Sequence, residues 1–218
     1  MAEFRWYGHN CFRIRAKEAT VITDPVGKIT GYAMAKQTAD IVTISHDHPG
    51  HNNLAAIKPE YEVISGPGEY ELHDIFVTGI RTYHDARPGD GRGYNTVYLI
   101  EVEGMITCHL GDLGHPLDSE QIEAMAQCDI LLVPVGGGPL ITAEQAAEIV
   151  SVLEPKVVIP MQFATGIGDK NRAPLEPFIK ALGTSAPEAI EKLVIKPSEL
   201  TDTMRVVVLL PDSEGARQ

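Results

Sequence analysis

Cysteine is scarce in this chain and basic charge is outnumbered. The three cysteines, Cys11, Cys108 and Cys128, are odd in number, far apart and flanked by apolar residues such as Phe12, Ile106 and Ile130. That argues against a disulfide framework and for buried thiols in a reducing compartment. Lys and Arg total 18 against 30 Asp and Glu, a formal net charge of -12. No basic run reverses the balance locally, which excludes nucleic acid and anionic membrane surfaces as expected partners. No segment supplies the roughly 18 continuous apolar residues of a membrane span, and the first residues lack the apolar core of a signal peptide. A cytoplasmic protein without a membrane partner is expected.

Linkers, short repeats, low-complexity tracts and heptads are also missing. One domain over residues 1–218 is therefore expected, with a polar tail from about residue 212.

What is present changes style along the chain. Strand-like runs fill the first half, at residues 4–7, 11–14, 20–23, 41–45, 62–64, 75–78, 96–102 and 105–109. Glu103-Gly104 supplies a tight turn between the last two. In the second half, strand-like runs at 130–135, 156–160, 193–195 and 205–210 alternate with helical patterns. Asp118 and Thr142 each have Gln three residues on, the reciprocal pattern that caps a helix start. Ala143, Ala146, Ala147, Val150 and Leu153 share one helical face. A third helix is expected over 175–182 and a last turn at Pro187-Glu188. Strands followed by strands with helices suggest an α/β fold, a four-layer αββα sandwich.

The densest chemistry is Ile-Val-Thr-Ile-Ser-His-Asp-His-Pro-Gly-His, residues 41–51. The apolar run reads as a buried strand, and His46, His48 and His51 follow at its carboxyl end, where α/β sheets place ligands. Imidazoles at this spacing can converge on one ion. A His-rich surface loop is the plain alternative. Against it stand His84 and Asp112, each also just beyond a strand-like run.

The chain resembles the metallo-β-lactamase superfamily, in its lactonase-like, metal-dependent hydrolase branch. The resemblance rests on Gly8-His9-Asn10-Cys11-Phe12, Thr23-Asp24-Pro25, Ser45 to His51, His84, Gly111-Asp112-Leu113-Gly114-His115, Leu132 to Gly137 and Val158 to Phe163. It implies the αββα sandwich and two metal positions. One is held by His46, His48 and His84; the other uses the positions of Gly50, His51 and Gln162, with Asp112 between. The family usually has Asp and His where this chain has Gly50 and Gln162. Glycine has no ligand atom, and a Gln amide oxygen is a weaker ligand than imidazole.

One divalent transition metal is therefore expected, with a second weak or absent. Zinc suits three imidazoles; manganese or iron fits an added carboxylate. The activity expected is hydrolysis of a small-molecule phosphodiester, lactone or ester by metal-bound hydroxide. Asp112 and His51 serve as both metal and catalytic candidates, and Asp47 is a further proton-handling candidate. His9, Asn95, Gln162 and His115 are expected to face the substrate. Two alternatives are a mononuclear iron site for oxygen or sulfur chemistry and a non-catalytic or weakly metal-binding descendant of the fold. Self-association into a homo-oligomer is compatible with a chain of this size.

Two glycine-rich stretches remain. The segment Arg87 to Gly93 could close on an anionic substrate, although Gly, Pro and Asp suit an ordinary turn. Gly136-Gly137-Gly138 lacks the Lys and the spacing of a phosphate loop, and is expected to let backbones approach at the active-site rim.

Overall fold

The computed structural model describes residues 1–84 and 93–212. Two mixed sheets face each other. The first contains β1 (Ala2–Trp6), β2 (Phe12–Arg15), β3 (Thr20–Thr23), β4 (Ile41–Ile44), β5 (Glu62–Ser65) and β12 (Leu193–Ile195), in the order β12-β1-β2-β3-β4-β5. The second contains β6 (Gly68–Leu72), β7 (Ile75–Tyr83), β8 (Tyr94–Val102), β9 (Met105–His109), β10 (Ile130–Pro134), β11 (Val157–Met161) and β13 (Arg205–Val206), in the order β13-β11-β10-β9-β8-β7-β6.

The side-chain period of two builds the interface between the sheets. Phe4, Trp6, Phe12, Ile14, Val21 and Ile41 of the first sheet join Ile75, Val77, Val97 and Ile100 of the second in one buried core. The parallel pair β10 and β11 is buried at every position, as strands covered on both faces must be.

Helices α1 (Ser119–Ala124), α2 (Ala143–Leu153) and α3 (Glu176–Ala181) accompany the second sheet. Both expected caps form. Gln121 N donates to Asp118 at 2.8 Å and Gln145 N donates to Thr142 at 3.2 Å, with the reciprocal bonds present. α2 buries Ala146, Ile149, Val150 and Leu153. The outer face of the first sheet is covered differently. Val26, Tyr32, Ala39 and Ile57, from loops and 3₁₀ turns at Lys28–Thr30 and Leu54–Ala56, pack on Ile22, Val42 and Ile44. This makes the fourth layer of the αββα sandwich with short turns where a helix was expected.

Several expectations need correction. β6 was not anticipated, because Gly-Glu-Tyr-Glu-Leu is mostly exposed and offers no apolar alternation. It continues into β7 through His73 and Asp74, both at positive φ (53° and 60°), a hairpin turn without glycine. The strand expected over 205–210 stops at Val206. Beyond it, Leu209 bridges to Ile190 and Pro211 to Trp6, so the chain leaves the second sheet for the first. No turn forms at Pro187-Glu188. Residues 87–92 of the glycine-rich segment, and the tail beyond 212, lie outside the described residues.

Strand direction positions the site. Through two antiparallel steps β1 runs parallel to β3 and β4, and likewise β7 runs parallel to β9, β10 and β11. The carboxyl ends of β1, β3, β4, β7, β9 and β11 lead respectively into His9 and Asn10, Asp24, His46, His84, Asp112 and Gln162.

Candidate metal centre

The expected ligands converge. Donor atoms of His46, His48 and His51 lie within 4.8 Å of one another, and so do those of His46, His84 and Asp112. His84 Nε2 is 3.1 Å from Asp112 Oδ2 and His51 Nε2 is 3.5 Å from the same atom. Four imidazoles and a carboxylate from three loops thus surround one small volume. The donor set fits a single transition-metal ion.

Hydrogen bonds with Asp24, Ser45 and Gly50 orient these side chains. The Asp24 carboxylate is buried and accepts from Ser45 N (2.7 Å) and Ser45 Oγ (2.6 Å), and lies 2.9 Å from His51 Nδ1. That contact places the His51 proton on Nδ1 and turns Nε2 toward Asp112, the usual way a carboxylate orients a ligating imidazole. Ser45 Oγ also lies 3.0 Å from His46 Nδ1. Gly50 N donates to His48 Nδ1 at 3.1 Å.

The residues at the second metal position do something else. Asn10 Nδ2 donates to Asp112 Oδ1 at 2.6 Å, and Gln162 Nε2 donates to the same oxygen and to Asn10 Oδ1. Two neutral amides therefore cover one oxygen of the shared carboxylate. Gly50 contributes no side chain, and a Cβ there would lie 3.0 Å from His48 Nδ1 and Thr30 Cγ2. At this position the side chains of Asn10 and Gln162 turn amide N–H donors, not lone pairs, toward Asp112. Gln162 Oε1 is buried without a hydrogen-bond partner among the described residues. His9, Asp24 and Gln162 have positive φ (51°, 39° and 58°), a conformation uncommon for residues with side chains.

Charge is distributed unevenly. Burial pushes His51 down, but Asp112 and Asp24 outweigh it and hold the imidazole up at about 10. Burial works against ionisation of Asp112, yet His51 and His84 keep it well below the usual range. Asp24 is held at about 2 by His51 against the same burial effect. Burial, then His51, lowers His46 to about 4 and His9 to about 3.

Other expected site residues divide. His9 and Gln162 line the cavity that opens on His48. Asn95 does not face a substrate: it is fully buried, donates to Thr82 Oγ1 (2.8 Å) and Leu110 O (3.0 Å), and accepts from Asp112 N (2.9 Å). It fixes the loop that carries Asp112. His115 is likewise committed, with Nε2 accepting from Tyr83 N at 3.1 Å and Nδ1 bonded to Pro116 O at 2.7 Å. Asn95 was placed at the substrate by position alone; His115, besides its substrate reading, was open to bonding loop backbone near the site, and that is the bonding it makes. Asp47 is exposed and accepts from Asn52. Asn10 and Asp24 were missed as site residues, although each lies in a motif that carries the resemblance.

Comparison with known proteins shows the family. A family model described as the beta-lactamase superfamily domain matches residues 3–162. The chain belongs to the metallo-β-lactamase superfamily. A UPF0173 protein of Pyrococcus abyssi is 30% identical, over 73% of this chain and 82% of that one. A UPF0173 metal-dependent hydrolase of Thermoplasma volcanium is 31% identical over the same shares. Among solved structures, a candidate zinc-dependent hydrolase of the superfamily from Thermotoga maritima superposes with a TM-score of 0.80 at 35% identity, covering 96% of this chain and 98% of that one.

Proposed function

We propose that this protein is a metal-dependent hydrolase that uses one divalent ion, with zinc the first candidate, on a small-molecule ester, lactone or phosphodiester. The observation that carries the single-ion reading is the amide pair on Asp112: Asn10 and Gln162 occupy Oδ1, leaving Oδ2 toward His51 and His84. His46, His48 and His84 would hold the ion with Asp112. When bound, such an ion acidifies water and polarises the scissile oxygen.

The chain's own residues supply orientation and proton handling. Asp24 accepts one proton of His51 in the hydrogen bond at Nδ1; in the imidazolium that Asp112 and Asp24 favour, the second proton is on Nε2, and that is the one His51 passes to the departing group. Asn95 holds the Asp112 backbone and Asn10 its carboxylate in one position. Substrate enters by a cavity of about 340 Å³ bordered by His9, His48 and Gln162, a volume suited to a small molecule.

Elemental analysis of gently purified protein tests the reading, with the double variant His46→Ala/His48→Ala as control. About one equivalent of zinc, absent from the control, is expected, followed by turnover in a screen of esters, lactones and phosphodiesters. Two equivalents would overturn the single-ion reading. Iron with oxygen uptake would favour redox chemistry, and no ion after reconstitution would favour a non-catalytic descendant.

A further inference from the structure

The same cavity holds a fixed cation that neither the ligand set nor the proton handling uses. Arg172 lines its wall with His9, Tyr32, His48, Gln162 and Asp169. Its side chain is only 12% exposed; Nη1 donates to Gly137 O at 3.0 Å and Nε lies 3.7 Å from Asp169 Oδ2. Nη2 has no hydrogen-bond partner among the described residues.

The glycine run explains how the side chain reaches this position. A Cβ on Gly136 would lie 3.0 Å from Arg172 Cδ and 1.9 Å from Gln162 O. Only a chain without side chains there lets the arginine stem and the Gln162 backbone pack against it.

Asp169 offsets the charge incompletely. Its side chain is 49% exposed, and Oδ1 is engaged by Asn171 N and Nδ2 at 2.9 and 3.0 Å. The chain as a whole is acidic, with a net charge of -12. A guanidinium held in a partly enclosed cavity beside a metal-ligand candidate is suited to oxyanions, which it binds through paired N–H donors.

We infer that the substrate carries an oxyanion, a carboxylate or phosphate separate from its scissile bond, and that Arg172 binds it while the scissile group faces His48. This rests on the hydrolase reading for the scissile end but not for the anion site itself. It narrows the substrate class to anionic small molecules and makes Arg172 a specificity-determining residue.

The test uses zinc-reconstituted protein and two kinds of probe. Binding of butyrate and of propyl phosphate is measured by calorimetry in wild type, Arg172→Met, Arg172→Lys and Asp169→Asn. Hydrolysis is compared for mono-4-nitrophenyl glutarate and its neutral methyl ester. Loss of a charge-assisted contact should weaken anion binding about tenfold or more in Arg172→Met, with partial recovery in Arg172→Lys. Asp169→Asn should tighten it, because the guanidinium loses its competing carboxylate. The better-bound probe distinguishes carboxylate from phosphate.

If Arg172 only pins the glycine turn, Asp169→Asn will loosen anion binding or leave it unchanged, and the charged and neutral esters will show equal KM. Either result overturns the inference. Should Arg172→Met fail to fold, Asp169→Asn and the ester pair still decide. Arg172-dependent anion binding without ester turnover supports the anion site and counts against the hydrolase reading; turnover with no charge preference does the reverse.

Discussion

His51 Nδ1 lies 2.9 Å from Asp24 Oδ2, across 27 residues of sequence and with both side chains fully enclosed. The contact ties the turn after β3 to the histidine loop after β4, and it decides which nitrogen of His51 faces the site.

Asp24→Ala should therefore disturb stability and metal content together. It strips acceptors from Ser45 N, Ser45 Oγ and His51 in one change. Breaking a buried ionic contact in this way costs about 3–5 kcal/mol. Urea denaturation checks the energy and elemental analysis the metal; a loss below about 1 kcal/mol would show that the carboxylate is not structural.

The amide pair leads to a gain of metal by substitution. Gln162→His with Gly50→Asp supplies both missing ligands, and Thr30→Ser removes the Cγ2 that would crowd a new Cβ at 3.0 Å. Zinc content should rise from about one equivalent toward two. A wild type that already holds two would mean that the Gln162 amide turns over and presents Oε1, now buried without a partner, to an ion.

Neighbouring glycines should differ sharply. Gly136→Ala puts a Cβ 1.9 Å from the Gln162 carbonyl and forces backbone movement, whereas Gly137 has open space and only a positive φ of 61°. Overpacking at Gly136 should cost about 1–3 kcal/mol and also impair metal retention. Gly137→Ala should cost about 1–2 kcal/mol through backbone strain alone, with metal content unchanged.

Acid stability should depend on Glu3. Its hydrogen bond from Lys192, then that from Arg13, hold its pKa below the usual carboxylate value despite partial burial. The contribution is present above the unfolded carboxylate pKa and is lost as pH falls through the lower folded value. Glu3→Gln should thus destabilise the protein at pH 7 but have little effect near pH 2, as read from denaturation midpoints across that range.

Thiol chemistry offers a simple check on the core. Cys11, Cys108 and Cys128 are buried and free, and burial pushes the Cys11 and Cys108 thiols up. Native protein should leave all three unlabelled by a thiol reagent over the time in which denatured protein reacts fully.

Much of this was visible without coordinates. Runs at residues 4–7 and 75–78 mark the strands β1 and β7 because strand pattern is local, although β1 starts earlier, at Ala2, and β7 runs on to Tyr83. The reciprocal caps at Asp118 and Thr142 are local, spanning three residues, so their residue types suffice to announce them. The His46, His48 and His51 cluster is legible for the same reason.

Contacts between distant residues were not legible. Asn10 meets Asp112 across 102 positions and Gln162 meets Asn10 across 152, and no local spacing records either meeting. An Asn or Asp after a strand has an ordinary turn reading, so the motifs around Asn10 and Asp24 point to the family without giving either residue a role until parallel strand ends gather them. The reverse holds for Asn95, whose position suggested substrate while Leu110 O, Asp112 N and Thr82 claimed its polar atoms. The sequence by itself determined the capped helices and most of the strands, the family, and the absence of the usual Asp and His at Gly50 and Gln162, because these depend on residue type and short-range pattern. Only the tertiary structure decided that two amides cover Asp112 and that Arg172 enters the same cavity, because convergence follows from strand direction and sheet pairing.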